Sequence, residues 1–282
     1  MAVYDINGNN IDEISGSAVL YDKNVKGVCH RGYNTQASTP SSPENTIPAY
    51  KMARRNGFYY VETDVSFTSD GVAVLLHDES INRTARNSDG SAISGTVNIG
   101  DITYEQALQY DFGIAAGASF AGTKIPTIDQ FLKLCKNLGL YPYIELKNNG
   151  GYTQAQIQGV VDAVYANGLS GNVTFISFSS TYLGYVKNYD DTIRLGFLKS
   201  TATANDISTC QGLKTSNNEV FYDTKYSTVT NAICTSYKNA SIPMEIWTVD
   251  SASSITGMNP YISGVTSNKL IAGKVLYDAN IN

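Results

Sequence analysis

The chain has 282 residues, 42% apolar and 16% charged, with a formal net charge of −5. This composition is that of a globular protein with ample material for a core, and it admits one large α/β barrel or two ordinary domains. No apolar run approaches the roughly 20 residues that cross a bilayer. No clustered excess of Lys and Arg offers to neutralise a nucleic-acid backbone, so any anionic partner must be a small molecule met locally.

Residues 1–24 are polar and rich in Asn, Gly and Ser, and read as an N-terminal extension ahead of one domain over 25–282. They lack a basic stretch followed by an apolar one, so no signal peptide is expected. The chain as encoded is expected in the cytoplasm, with a surface or appendage location left open. Four cysteines, Cys29, Cys135, Cys210 and Cys234, show no CxxC spacing and are expected as buried free thiols. Lys26–Cys29 reads as a short buried strand ending in His30-Arg31-Gly32. A long polar loop, Tyr33 to Ser42, follows. Pro43-Glu44-Asn45-Thr46 is expected to open a helix that stops at Gly57.

The strand expected from Phe58 to Phe67 carries Glu62 and Asp64, two apart and therefore on one face. Ser69-Asp70-Gly71 then predicts a hairpin. A two-residue Asp70-Gly71 turn sets Asp64 opposite His77 on the return strand Val72–Leu76; a Ser69-Asp70 turn pairs His77 with Glu62 instead. Either register places the imidazole beside a carboxylate. From Asn82 to Lys124 the chain is rich in Gly, Ser and Asn with one short helix, Tyr104–Tyr110, and reads as an insertion.

Beyond Ile125-Pro126-Thr127, helices and strands alternate. Helices are expected at 128–137, 153–166, 181–189, 204–213 and 229–239. Continuous apolar strands are expected at 141–146, 173–178, 194–198, 219–222 and 244–249, then near Gly264-Val265-Thr266. Such alternation predicts a parallel sheet covered on both faces. Strands near Val28, Val61, Ile144, Phe175, Leu195, Phe221, Ile246 and Val265 make eight, which predicts a (β/α)8 TIM barrel with a small insertion between the second and third barrel strands. An open doubly wound sheet is the alternative, but the glycine-rich turn of its nucleotide-binding form is missing.

Active sites of such barrels lie at the C-terminal ends of the strands. His30 and Arg31 end the first, Glu62 and Asp64 the second, Glu145 and Lys147 the third, and Trp247, the only tryptophan, lies in the seventh. The chain has two histidines, His30 and His77, and both converge on this rim with three carboxylates, which points to acid–base catalysis. Glu62, Asp64 and Glu145 form an all-oxygen set suited to one hard divalent cation, Mg²⁺ or Ca²⁺; an ion-pair cluster with Arg31 and Lys147 is the bland alternative. Arg31 and Lys147 suit a phosphate. Glu44 fits either helix-dipole chemistry or an active-site role, and Trp247 either the core or a substrate wall.

Several ordered motifs, Cys29-His30-Arg31-Gly32, Pro43-Glu44-Asn45-Thr46, Val61-Glu62-Thr63-Asp64-Val65, Ser69-Asp70-Gly71, His77-Asp78, Asn82-Arg83-Thr84, Ile125-Pro126-Thr127, Glu145-Leu146-Lys147 and Trp247-Thr248-Val249, resemble the glycerophosphodiester phosphodiesterase family. The resemblance implies a TIM barrel and a metal on Glu62, Asp64 and Glu145. It also implies His30 and His77 as the acid/base pair, and hydrolysis of a glycerophosphodiester to glycerol 3-phosphate and an alcohol, with a cyclic phosphate as one course. The family often carries an acid after the final strand, where this chain has Ser267-Asn268. Other readings are a catalytically idle barrel serving as a binding module, or the same chemistry on lysophospholipid or on polyglycerol-phosphate cell-wall polymer. Oligomeric state is not readable from the sequence.

Overall fold

Strands and helices follow one another in the order β1 (Lys26–Cys29), α1 (Ile47–Arg55), β2 (Tyr60–Phe67), β3 (Ala73–Leu75), α2 (Tyr104–Ala107), α3 (Ile128–Leu138), β4 (Tyr141–Leu146), α4 (Gln154–Ala166), β5 (Thr174–Ser177), α5 (Ser180–Tyr189), β6 (Arg194–Lys199), α6 (Ile207–Leu213), β7 (Val220–Lys225), α7 (Asn231–Asn239), β8 (Met244–Trp247), α8 (Ala252–Thr256), β9 (Ile262–Ser267) and α9 (Ala272–Asp278). The computed structural model describes residues 25–34, 42–148 and 150–279. The extension expected over 1–24 and most of the polar loop expected over 33–42 lie outside the described residues.

Eight strands are parallel and run β1-β9-β8-β7-β6-β5-β4-β2, and a β1–β2 pairing closes the ring. The fold is therefore a (β/α)8 barrel. β1 pairs with β2 only through Val28↔Tyr60 and Cys29↔Val61, and β3 lies antiparallel along the far end of β2.

Alternation along each strand separates two cores. Outward apolar residues pack with the helices into the main cluster, which includes Cys29, Val61, Val65, Ile144 and Leu195. Inward residues Val28, Tyr143, Ile176, Leu198 and Phe221 fill the barrel. Gly196 on β6 makes room for this layer, because a Cβ there would meet the Phe221 ring at 2.3 Å and Ile176 Cγ2 at 2.7 Å. Below it, the Arg194 guanidinium sits 3.9 Å from the centre of the Phe221 ring and bonds Glu245 at 2.7 Å and Glu219 at 2.6 Å. Charge thus plugs the N-terminal end of the barrel, and the opposite end is available for chemistry.

Helix starts follow the sequence closely. Thr127 with Gln130, and Thr153 with Gln156, make reciprocal capping boxes at α3 and α4. Gly139, at φ +62°, ends α3. All four cysteines are free and buried. Between β3 and α3 the chain builds a satellite core from Val74, Leu76, Ile81, Ala85, Ile99, Ala107, Phe112 and Ile125. Buried Asp111 holds this region together by accepting the backbone N–H groups of Gly113 (2.8 Å), Ile114 (3.0 Å) and Gly122 (2.6 Å).

Several expectations need correction. The hairpin adopts neither two-residue turn: Val65↔Leu75, Ser66↔Val74 and Phe67↔Ala73 pair, which leaves three residues, Ser69 to Gly71, at the tip. The Thr68 hydroxyl accepts the Val72 N–H at 3.0 Å and donates to Asp70 at 2.5 Å, while Gly71 takes φ +80°. This is the three-residue loop closed by a left-handed glycine. His77 therefore opposes neither acid and follows the ladder rather than belonging to it. Helix α1 begins at Ile47, with no acid in its first turn, so the helix-dipole reading of Glu44 is wrong. α2 ends at Ala107, three residues early; β7 extends past Tyr222 to Lys225; and α9 is an element the sequence reading did not anticipate.

Candidate active site

β2 and β4 run side by side in the register Asp64↔Glu145. Inward alternation then sets Glu62, Asp64 and Glu145 together, with one oxygen from each within 4.8 Å of the others. All three are buried, at 2%, 1% and 8% exposure. Burial and the neighbouring Asp64 and Glu145 push the Glu62 carboxyl well up, and burial with Asp64 raises Glu145 to about 7. Asp64, despite its burial, is held low by Arg31 and Lys147.

Cations touch this triad without completing it. Lys147 Nζ lies 2.8 Å from Glu145 Oε1 and 3.5 Å from Asp64 Oδ1, and Arg31 Nε lies 3.3 Å from Asp64 Oδ2. Among the described residues, Glu62 accepts the backbone N–H of Arg31 at 2.8 Å, while its Oε1 has no hydrogen-bond partner; neither has Asp64 Oδ1. Two orphaned, buried carboxylate oxygens in an all-oxygen set fit a hard divalent cation. The second oxygen of Asp64 accepts Asn45 Nδ2–H at 2.8 Å, and Asn45 Oδ1 in turn accepts Asp64 N–H at 3.2 Å and the Tyr50 hydroxyl at 3.0 Å. That clamp fixes which oxygen faces the triad.

His30 stands just past the end of β1, its N–H donating to Ser267 O at 3.0 Å. Arg31 and Gly32 follow with φ +55° and +76°, and a Cβ on Gly32 would meet Ala49 Cβ at 2.7 Å, so this turn requires glycine. His30 Nδ1 lies 2.9 Å from Asn268 Oδ1. Asn268 Nδ2 donates to Asp250 Oδ2 at 2.6 Å and its backbone N–H to Asp250 Oδ1 at 2.8 Å. A carboxylate only accepts, so the amide presents nitrogen to Asp250 and oxygen to His30. His30 therefore carries its proton on Nδ1 and leaves Nε2 as a base. Burial and adjacent Arg31 push this imidazole down to about 4, which keeps it neutral at ordinary pH.

The second imidazole has a different partner. His77 Nδ1 lies 2.6 Å from Asp78 Oδ1, and Asp78 Oδ2 accepts Arg83 Nε–H at 2.5 Å. Arg83 also grips Glu44 with both terminal nitrogens, at 2.8 and 2.7 Å, and Glu44 accepts Arg31 at 3.1 Å. A continuous chain of charge thus runs from His77 through the start of the insertion to Arg31.

One cavity of about 120 Å³ is lined by His30, Arg31, Glu62, His77, Glu145, Lys147 and Trp247. Asp64 joins through the triad, whereas Glu44 lies behind Arg31 and lines a separate cavity with Arg83. Trp247 packs edge-on against Phe178, their ring centres 5.9 Å apart, so it is a wall of the cavity rather than part of the outer core. A larger cavity of about 340 Å³ beside Ser66, Glu79 and Tyr152 contains none of these residues. The sequence reading missed Asn268 and Asp250 as partners of His30, Asp78 and Arg83 as partners of His77, and Asp223, which lines the cavity from β7. Asp223 had a pattern signal, since it follows inward Phe221 by two, and Asp78 and Arg83 stood in motifs already singled out, without a sign of what they would hold.

Fold and site together define a (β/α)8 barrel with a candidate divalent-cation triad and two imidazoles at its C-terminal rim. Residues 30–269 match the glycerophosphoryl diester phosphodiesterase family, and the chain belongs to that family. A glycerophosphodiester phosphodiesterase of Caldanaerobacter subterraneus subsp. tengcongensis is 30% identical over 171 residues, 61% of this chain and 65% of that protein. Human glycerophosphodiester phosphodiesterase 1 is 32% identical over 127 residues, 44% of this chain and 34% of that protein. These alignments span less than two thirds of each relative. Among solved structures, an Oleispira antarctica phosphodiesterase in complex with the product sn-glycerol-3-phosphate superposes with a TM-score of 0.75 at 21% identity, covering 91% of this chain and 97% of that one. A glycerophosphodiester phosphodiesterase from Agrobacterium tumefaciens gives 0.69 at 22%, covering 90% and 99%. These structural likenesses bear on the fold.

Proposed function

We propose that the chain is a divalent-cation-dependent phosphodiesterase that hydrolyses glycerophosphodiesters to glycerol 3-phosphate and an alcohol. The observation that carries this reading is the convergence of both histidines, the carboxylate triad, Arg31 and Lys147 on one small cavity. Family membership and the product-bound Oleispira relative support the substrate class.

Glu62, Asp64 and Glu145 would hold Mg²⁺ or Ca²⁺, which supplies charge neutralisation at a phosphoryl oxygen. Arg31 and Lys147 bind the phosphate and offset the charge that builds up as the phosphorus becomes five-coordinate. His30 Nε2 removes the proton from the glycerol hydroxyl neighbouring the diester, and that oxygen attacks phosphorus. His77, oriented by Asp78, gives its proton to the departing alkoxide. A cyclic phosphate and a free alcohol result. Water then opens the ring, losing a proton to His77 while the leaving hydroxyl regains one from His30.

Incubation with a panel of glycerophosphodiesters and Mg²⁺ or Ca²⁺, with products identified by phosphorus NMR, tests the reading. Glycerol 3-phosphate is expected, with a transient five-membered cyclic ester. Absence of turnover with every diester and cation would leave a binding barrel instead.

A further inference from the structure

Among the described residues, four buried polar atoms on residues lining this cavity have no hydrogen-bond partner; Arg31 Nε and Glu62 Oε1 belong to the candidate cation and phosphate site described above, and two others do not. Asp223, inward on β7, is 2% exposed, and its Oδ1 is unpartnered; Trp247, ending the neighbouring β8, has an unpartnered Nε1. Both line the same cavity as the histidines and the triad. Arg194, the cation of the barrel interior, is taken by Glu245, Glu219 and the Tyr143 hydroxyl. A buried polar atom left unpaired costs stability, and such costs persist where a ligand completes the bond.

The surroundings narrow the ligand. Ile176, Phe178 and Leu198 give this part of the cavity an apolar lining, suited to a short carbon skeleton rather than to a second phosphate. Burial, with Glu245 and Glu145 nearby, pushes the Asp223 carboxyl well up, which disfavours a second cation here and favours a neutral group that both donates and accepts. Hydroxyls do both, and an indole N–H only donates.

We propose that Asp223 and Trp247 form a hydroxyl-recognising subsite for the polyol moiety of the substrate. Trp247 Nε1–H donates to a hydroxyl oxygen, Asp223 Oδ1 shares a hydrogen bond with a hydroxyl, and the carbon chain lies against Ile176, Phe178 and Leu198. The subsite deepens the phosphodiesterase reading and rests on it. Its consequence is selection: a site built to bond a hydroxyl rejects the analogue lacking it, because its own buried groups then stay unpaired.

Calorimetric titration of the Ca²⁺-loaded full chain with glycerol 3-phosphate and with ethyl phosphate separates polyol recognition from phosphate recognition. The unsubstituted protein is expected to prefer glycerol 3-phosphate by at least about tenfold. Asp223→Leu and Trp247→Phe should each erase most of that preference while leaving ethyl phosphate affinity within about twofold, and Asp223→Leu should raise the melting temperature by removing an unsatisfied carboxyl. Equal binding of the two ligands by the unsubstituted protein, or equal weakening of both in the variants, overturns the subsite. If Asp223→Leu does not fold, Trp247→Phe alone decides. Turnover of diesters with no ligand preference sinks the subsite only; failure to bind either phosphate or to turn over any diester sinks the parent reading with it.

Discussion

His30 and His77 are the same residue type set apart by what lies behind them. His30 leans on a neutral amide and His77 on a carboxylate. Replacing either by Ala is expected to lower kcat by roughly 10²–10⁴-fold with folding and cation binding retained; a near-normal rate would remove that histidine from the mechanism. Asn268→Ala is a subtler case, since it frees the ring of His30 without deleting it. We expect kcat to fall by about 10–100-fold with KM nearly unchanged, and a parallel change in KM would mark Asn268 as merely structural. At this scale the sequence was informative where period two operates: Glu62, Asp64, Glu145 and Lys147 were readable as inward pairs. It was silent where a partner comes from across the fold, as Asn268 does to His30, 238 residues away. Asp223 fell between these cases, because ending its strand at Tyr222 hid an inward acid that the same periodicity would have exposed.

At the level of elements, the hairpin shows how one side chain outweighs a dipeptide rule. Asp70-Gly71 argued for a two-residue turn, but Thr68 bonds Val72 and Asp70 and widens the loop by one residue. The site survives because His77 lies beyond the ladder and is oriented by Asp78. Strand β6 is equally exacting: Gly196→Ala should destabilise the barrel by about 1–3 kcal/mol by denaturant titration, since Phe221 and Ile176 occupy the space a methyl needs. A null effect would mean that this layer repacks freely. In the insertion, three backbone N–H groups converge on Asp111 and hold its carboxyl low in spite of its burial. Its contribution is complete above the unfolded value of about 4 and is lost as pH falls through the lower folded value. Asp111→Asn should therefore cost about 1–3 kcal/mol at pH 7 and progressively less in acid, by thermal melts across pH. The starts of α3 and α4 carry Thr-x-x-Gln capping boxes, a local signal, while α9 has none, because no capping side chain precedes it.

The whole molecule stores repulsion in its triad. Glu145 titrates near 7 against an ordinary carboxyl value, so the cation-free protein loses stability as pH rises from about 4.5 through 7. Mg²⁺ or Ca²⁺ should reverse this, raising the melting temperature more at pH 8 than at pH 5, and Glu62→Gln should weaken cation binding by calorimetry. A cation effect that does not vary with pH would argue that the triad is not the binding site. The barrel and its closure were legible because eight apolar runs alternated with helices; the particular pairings by which the short β1 meets β9 and β2 were not, since no local pattern announces them.

That closure has a consequence in time. His30 is made early, yet its backbone partner is Ser267 and its side-chain partner Asn268, both supplied by the final strand and the residue after it. During synthesis the His30 ring therefore lacks this side-chain partner until residue 268 has been made, and the proposed chemistry waits on that late contact. Full activity of the proposed kind is expected only once residue 268 has folded into place.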